Sequence, residues 1–192
     1  MKHRVIAVVA VAVGLVSASW AGVSRADVTV IGGGFAEDCS RSAKAVSVER
    51  APRADALQEC TLALQTEVLG AHDLASTYVN RGVLFLAMAR YDNALSDFNA
   101  ALRVEPRLAE AFVNRGAALI GEGRNAEGVA EIDRGLTFNP SEPEKAYFNR
   151  ALAEERLNDA KAAYYDYRRA LELRPGWPMA QAELARFTVV QR

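Results

Sequence analysis

Apolar side chains along this chain recur mostly at steps of three and four, the spacing that gathers them on one face of an α-helix. Tyr78, Gly82, Phe85 and Met88 form one such run, and Ala94, Phe98, Ala101 and Leu102 form another after a short break. The pattern therefore predicts helices in pairs. Gly123 and Asn158 stand at the matching breaks farther along, and both residue types accept the left-handed backbone that ends many helices. Ala89 holds the first break, where the same turn is expected to be less comfortable. A proline follows the second helix of each pair and forces the chain to turn.

The pairs recur at a fixed period. Asn80-Arg81-Gly82, Asn114-Arg115-Gly116 and Asn149-Arg150-Ala151 are offset by 34 and 35 residues, and Pro106, Pro140 and Pro175 each lie 26 residues beyond the corresponding asparagine. The one extra residue therefore falls between Pro140 and Asn149, where Ser141-Glu142-Pro143 reads as a turn and an insertion costs least.

These positions resemble the tetratricopeptide repeat, whose pattern runs aromatic, small, large, then alanine, aromatic, alanine and a closing proline. The first unit gives Tyr78, Gly82, Phe85, Ala94, Phe98, Ala101 and Pro106. The second gives Phe112, Gly116, Leu119, Gly128, Ile132, Gly135 and Pro140, and the third Tyr147, Ala151, Glu154, Ala163, Tyr167, Ala170 and Pro175. Two departures carry expectations. Glu154 replaces a large apolar residue, and the glycines at 128 and 135 cost about 1 kcal/mol each in a helix interior, so the second unit is expected to be the loosest. The resemblance implies an all-α, right-handed α-solenoid of stacked helical hairpins, with units at about 75–108, 109–143 and 144–177.

The flanks extend the array. Ala56, Cys60, Ala63 and Leu64 repeat the spacing of Ala94, Phe98, Ala101 and Leu102, so residues 38–73 read as a degenerate leading hairpin with its first helix near 39–48. Pro178 suits a first helical position and opens an expected capping helix over 178–192. At the start, Lys2 and Arg4 precede an apolar run at 5–16 and small residues around Ser24-Arg25-Ala26, the layout of a secretory signal peptide. The run is too short to span a bilayer comfortably. Cleavage is expected after Ala26, with Ala21 as second choice, giving a periplasmic or secreted protein without stable membrane insertion. Residues 27–37 are expected to be a flexible lead-in; Gly32, Gly33 and Gly34 follow a strand-like stretch there, but Glu37 stands at the third glycine position of a dinucleotide loop and no βαβ unit follows.

Cleavage would leave 20 basic against 24 acidic residues, which does not suit nucleic acid. Cys39 and Cys60 are the only cysteines and an oxidising compartment would let them pair, the alternative being two separate buried thiols. Two cysteines with His72, which reads as lying in a turn, make no metal site, and no catalytic trio or phosphate loop can be assembled. No cofactor and no catalysis are expected. Glu154 and Glu155 read as solvated, and Arg81, Arg115 and Arg150 as long side chains covering apolar surface with their heads in water.

The function that the resemblance implies is binding of a peptide or protein segment in a groove lined by the first helix of each unit. Carried onto this chain, the groove positions include Val79, Val83 and Leu86, then Val113, Ala117 and Ile120, then Phe148, Leu152 and Arg156. That face is largely aliphatic, with charge expected only toward the last unit, and Val79, Val83, Val113 and Ala117 stand where a clamp for a terminal carboxylate would need polar groups. Such a groove suits an apolar peptide or amphipathic helix bound by an adaptor or assembly factor. The alternative is a structural subunit of an envelope complex, its groove filled by self-packing or by a second copy.

Overall fold

The computed structural model describes residues 34–46 and 52–187, all of whose regular elements are helices. The signal peptide expected at 1–26, most of the lead-in and the end of the capping segment lie outside the described residues. Helices α1 (Phe35–Ala45) and α2 (Ala56–Thr66) form a leading hairpin. Three further hairpins follow: α3 (Ala71–Ala87) with α4 (Tyr91–Val104), α5 (Ala109–Gly121) with α6 (Asn125–Thr137), and α7 (Pro143–Arg156) with α8 (Ala160–Leu173). The short α9 (Pro178–Leu184) packs against α8. Consecutive helices touch along the whole series, giving a helical solenoid of hairpins.

The hairpin turns have one design. Ala89, Gly123 and Asn158 take positive φ of 54°, 82° and 64°. In each case the next amide reaches back five residues, Arg90 to the Phe85 carbonyl, Arg124 to Leu119 and Asp159 to Glu154, at 2.9 Å. This satisfies carbonyls that the helix end would otherwise orphan. Alanine meets the same geometry without glycine's freedom, so the first turn carries the strain that the sequence leads one to expect.

Within each hairpin a small residue makes room for a large one. A Cβ added at Gly82 would lie 2.5 Å from the Phe98 ring, and one added at Gly116 would lie 2.6 Å from Ile132. Phe98, Ile132 and Tyr167 are fully buried and fill the centres of the three units.

The second unit is not the loosest. A Cβ at Gly128 would lie 2.9 Å from the Gly116 carbonyl oxygen, and one at Gly135 would lie 3.1 Å from that of Ala109, so α5 and α6 approach backbone to backbone. The glycines that weaken α6 as an isolated helix let it pack more closely. Gly128→Ala should therefore destabilise the protein by about 2 kcal/mol in denaturant unfolding despite alanine's higher helix propensity. A stabilised variant would show that the helices separate freely here.

The leading hairpin is built differently. Cys39 and Cys60 form a disulfide, and both are fully buried with Ala43, Ala56 and Leu84. The Glu67 carboxylate accepts the backbone N–H groups of Phe35 at 2.6 Å and Ala36 at 3.1 Å, occupying free donors at the start of α1. Helix α1 consequently begins inside the segment expected to be flexible, and it ends at Ala45 rather than near residue 48. His72 likewise lies in the first turn of α3, because that helix starts at Ala71 with Gly70 as its N-cap.

Candidate functional site

The first helices touch one another across the array, α1 with α3, α3 with α5 and α5 with α7, and the second helices make no comparable contacts. The stack therefore curves with α3, α5 and α7 on its inner side, which makes their shared face the candidate site.

The nine expected groove residues divide on that face. Val83, Leu86, Ala117 and Leu152 are half-buried and present aliphatic surface, and Arg156 is exposed, its Nη1 donating to the Ile120 carbonyl at 2.8 Å near the end of α5. Val79, Val113, Ile120 and Phe148 are instead buried, with between 6% and 9% of their surface exposed. Their neighbours explain this. Val113 faces Gly135, Ile120 faces Gly128, and Phe148 lies between Tyr167 and Trp177, with ring centroids 5.5 and 4.8 Å away. Glycines on α6 let that helix close over Val113 and Ile120. Trp177, which the periodicity does not single out, closes over Phe148, and Val79 is buried in the cluster around Phe98 and Ala111.

A cleft of about 230 Å³ opens where α3 meets α5, lined by His72, Ser76, Val79, Asn80, Leu108, Glu110 and Ser141. Glu110 thus brings charge to the second unit as well as the last. Burial alone would raise the Glu110 carboxyl, but the Ser141 backbone N–H at 2.9 Å, its own backbone N–H, the Ser141 hydroxyl and the nearby His72 more than offset this and hold it below its usual range. On the rim, His72 Nδ1 lies 3.1 Å from Glu105 Oε2.

The three repeated arginines do not hold their heads in water. Arg81 grips Asp97 with two donors at 2.7 Å, Arg150 grips Asp166 at 2.6 and 2.8 Å, and Arg115 makes the equivalent pair with Glu131. Each also reaches the preceding hairpin: Arg81 to Thr61, Arg115 to Asn99 and Arg150 to Asp133. The sequence signal for this was available, since an acid stands 16 residues after every one of these arginines. They are joints between helices rather than a ligand site.

Glu154 and Glu155 are not solvated either. The Glu155 carboxylate accepts the Tyr167 hydroxyl at 3.1 Å and pairs with Arg186. Glu154 keeps one buried oxygen without a partner and lies 3.9 Å from Arg150 Nε. Burial, then the neighbouring Asp166, push its carboxyl up to about 7 against the pull of Arg150, with Asp159 and Asp133 adding to the rise. A folded chain that holds this proton more tightly than the unfolded chain loses stability as pH rises from about 4.5 to about 7. Glu154→Leu should accordingly raise stability by about 1–2 kcal/mol at pH 8, discounted for solvent access, with the charge-related part of that gain gone by pH 4. Thermal unfolding at both pH values checks the sign, and an equal gain at both would show that packing alone is responsible.

Residues 75–108 and 144–176 match the family model of the tetratricopeptide repeat. Two of the hairpins are thus similar to the tetratricopeptide repeat. The matched stretches coincide with α3–α4 and α7–α8 and leave out the glycine-bearing hairpin α5–α6. Among relatives, small glutamine-rich tetratricopeptide repeat-containing protein 2 of Mycosarcoma maydis is 30% identical over 64 residues, which are 33% of this chain and 18% of that protein. The Hsp70-Hsp90 organizing protein of Triticum aestivum is 33% identical over 64 residues, 33% of this chain and 11% of its own length. The chain thus spans less than a fifth of either relative. The first tetratricopeptide-repeat domain of Spaghetti (RPAP3), solved bound to the HSP90 peptide SRMEEVD, superimposes with a TM-score of 0.55 at 25% identity, covering 58% of this chain and 88% of that one. Among the described residues there is no cluster of three or more His, Cys, Asp and Glu side chains able to hold a metal, and no helix is long and apolar enough to cross a membrane.

Proposed function

We propose that this chain is a non-catalytic adaptor or assembly factor of the periplasm that binds an apolar peptide or amphipathic segment along the inner face of α3, α5 and α7. The observation that carries this reading is the run of half-buried aliphatic side chains on that face, Val83, Leu86, Ala117 and Leu152. A surface of this kind takes the apolar side of a helix. The peptide bound by the RPAP3 domain supports peptide binding as the use of the face, although the buried Val79 and Val113 offer this chain no counterpart to a clamp for a terminal carboxylate. Export is supported by the basic start, the apolar run at 5–16 and the paired cysteines. A second reading, a structural subunit of an envelope complex with its groove closed by self-packing or by a second copy, draws on the burial of Val79, Val113, Ile120 and Phe148.

A labelled four-turn amphipathic helix of leucine and glutamine tests the site by fluorescence anisotropy. It should bind the full chain and lose about tenfold in affinity with Ala117→Glu, a change on the half-buried face. Absence of binding, or binding indifferent to Ala117→Glu in a folded variant, would remove the groove from consideration. Sequencing the chain from the envelope fraction checks export, with Asp27 the expected first residue.

A further inference from the structure

The cleft between α3 and α5 sits on the inner face and differs in chemistry from the aliphatic surface beside it. We propose that it is a subsite for a lysine side chain of the bound segment, an inference that rests on the inner face being the peptide site. At about 230 Å³ the space is below that of ordinary small-molecule pockets and suits a single long side chain. Val79 and Leu108 supply apolar walls for a methylene stem. Ser76, Asn80, Ser141 and Glu110 supply oxygens for its head, and neither lysine nor arginine lines the cleft.

Charge selects the ligand. An ionised carboxylate only accepts hydrogen bonds, at roughly four lone-pair sites. Glu110 engages three of these with the Ser141 N–H, the Ser141 hydroxyl and its own backbone N–H, which leaves room for a further donor. The rim adds Glu105, which His72 meets from one side. An anionic side chain would meet repulsion here, whereas an ammonium group would meet acceptors on both helices. Lysine fits better than arginine because its three donors rotate freely, and acceptors from α3, α5 and the α6–α7 loop need not share a plane.

The test uses the full chain and the leucine–glutamine helix in two further forms, one position carrying either lysine or uncharged norleucine. The lysine form should bind about tenfold more tightly, in line with a charge-assisted hydrogen bond in a partly dehydrated site. Glu110→Gln should abolish that preference. Because the readout is the ratio of the two affinities, any loosening of the Ser141 loop affects both forms and cancels. Ser76→Ala, which leaves the Glu110–Ser141 bond intact, should narrow the ratio. Equal binding of the two forms, or a preference that survives Glu110→Gln, overturns the subsite and leaves groove binding standing. If neither helix binds, groove binding fails and N-acetyl-lysine methylamide decides the subsite: perturbation of the Asn80 and Ser141 amide resonances supports it, and unmoved resonances overturn it.

Discussion

Replacing Asp97 with alanine should cost about 3–5 kcal/mol of stability, a large part of what holds a domain of this size together. Asp97 is 4% exposed, and Arg81 meets it with two donors while its third nitrogen reaches Thr61 on α2. The hydrogen bond to Asp97 raises the Arg81 guanidinium further, in spite of its burial. Without the acid, a charged group that cannot lose its proton is left between three helices with only the neutral Thr61 hydroxyl and the faces of Tyr78 and Phe85, each 5.9 Å away, as company. The size of the effect comes from that stranded charge more than from the worth of the intact pair. Arg81→Met combined with Asp97→Leu removes both partners and should recover most of the loss. Urea unfolding of the single and double variants measures both quantities. A cost below about 1 kcal/mol for Asp97→Ala would mean that the pair behaves as a solvated surface bridge.

The same joint shows how far the sequence could be read. Spacing alone locates every hairpin turn of the three units, because a left-handed residue is needed at one place and Ala89, Gly123 and Asn158 stand there. The arginines recur just as visibly, yet a side chain considered alone gives no partner. Only the acids at Asp97, Glu131 and Asp166, in step with them, disclose that the heads turn inward. Glycine misleads in another way. Helix propensity counts Gly128 and Gly135 as weaknesses of α6, but their effect depends on the helix opposite, and α5 moves in until its carbonyls nearly touch. That same approach buries Val113 and Ile120, so two expected groove residues became core for a reason located a whole helix away in the chain. Positions on a helix face follow from periodicity; how much of that face the next element covers does not. The cleft at Glu110 is harder still, since His72 comes to it from the first turn of α3 and Leu108 and Ser141 from two different connections.

Removing the Cys39–Cys60 bond should cost about 3 kcal/mol, the chain-entropy estimate for closing a loop of this span, the two residues being 21 apart. The loss should be felt mainly in the first hairpin. In the repeats, Phe98, Ile132 and Tyr167 fill the space between paired helices; Cys60 holds the corresponding position of α2, so the disulfide stands where a ring would be. Around it are Ala43, Ala56 and the incoming Leu84, which bury little apolar surface. With the bond replaced by alanines, the specific ties left to α1 are the Glu67 carboxylate at its start and the Ser42 hydroxyl's bond to Glu59 at 2.7 Å. Hydrogen exchange on the Cys39→Ala, Cys60→Ala variant should therefore show α1 unprotected while α3 to α8 retain most of their protection, since a repeat array opens from its ends. Uniform loss across all hairpins would mean that the leading pair is integral to one cooperative unit. Reduction of the unaltered protein probes the bond within its packing, because both cysteines are fully buried in the bonded protein. A reductant reaches them only when α1 opens, so the rate of reduction reads the opening that the bond exists to suppress, and Glu67→Ala should accelerate it.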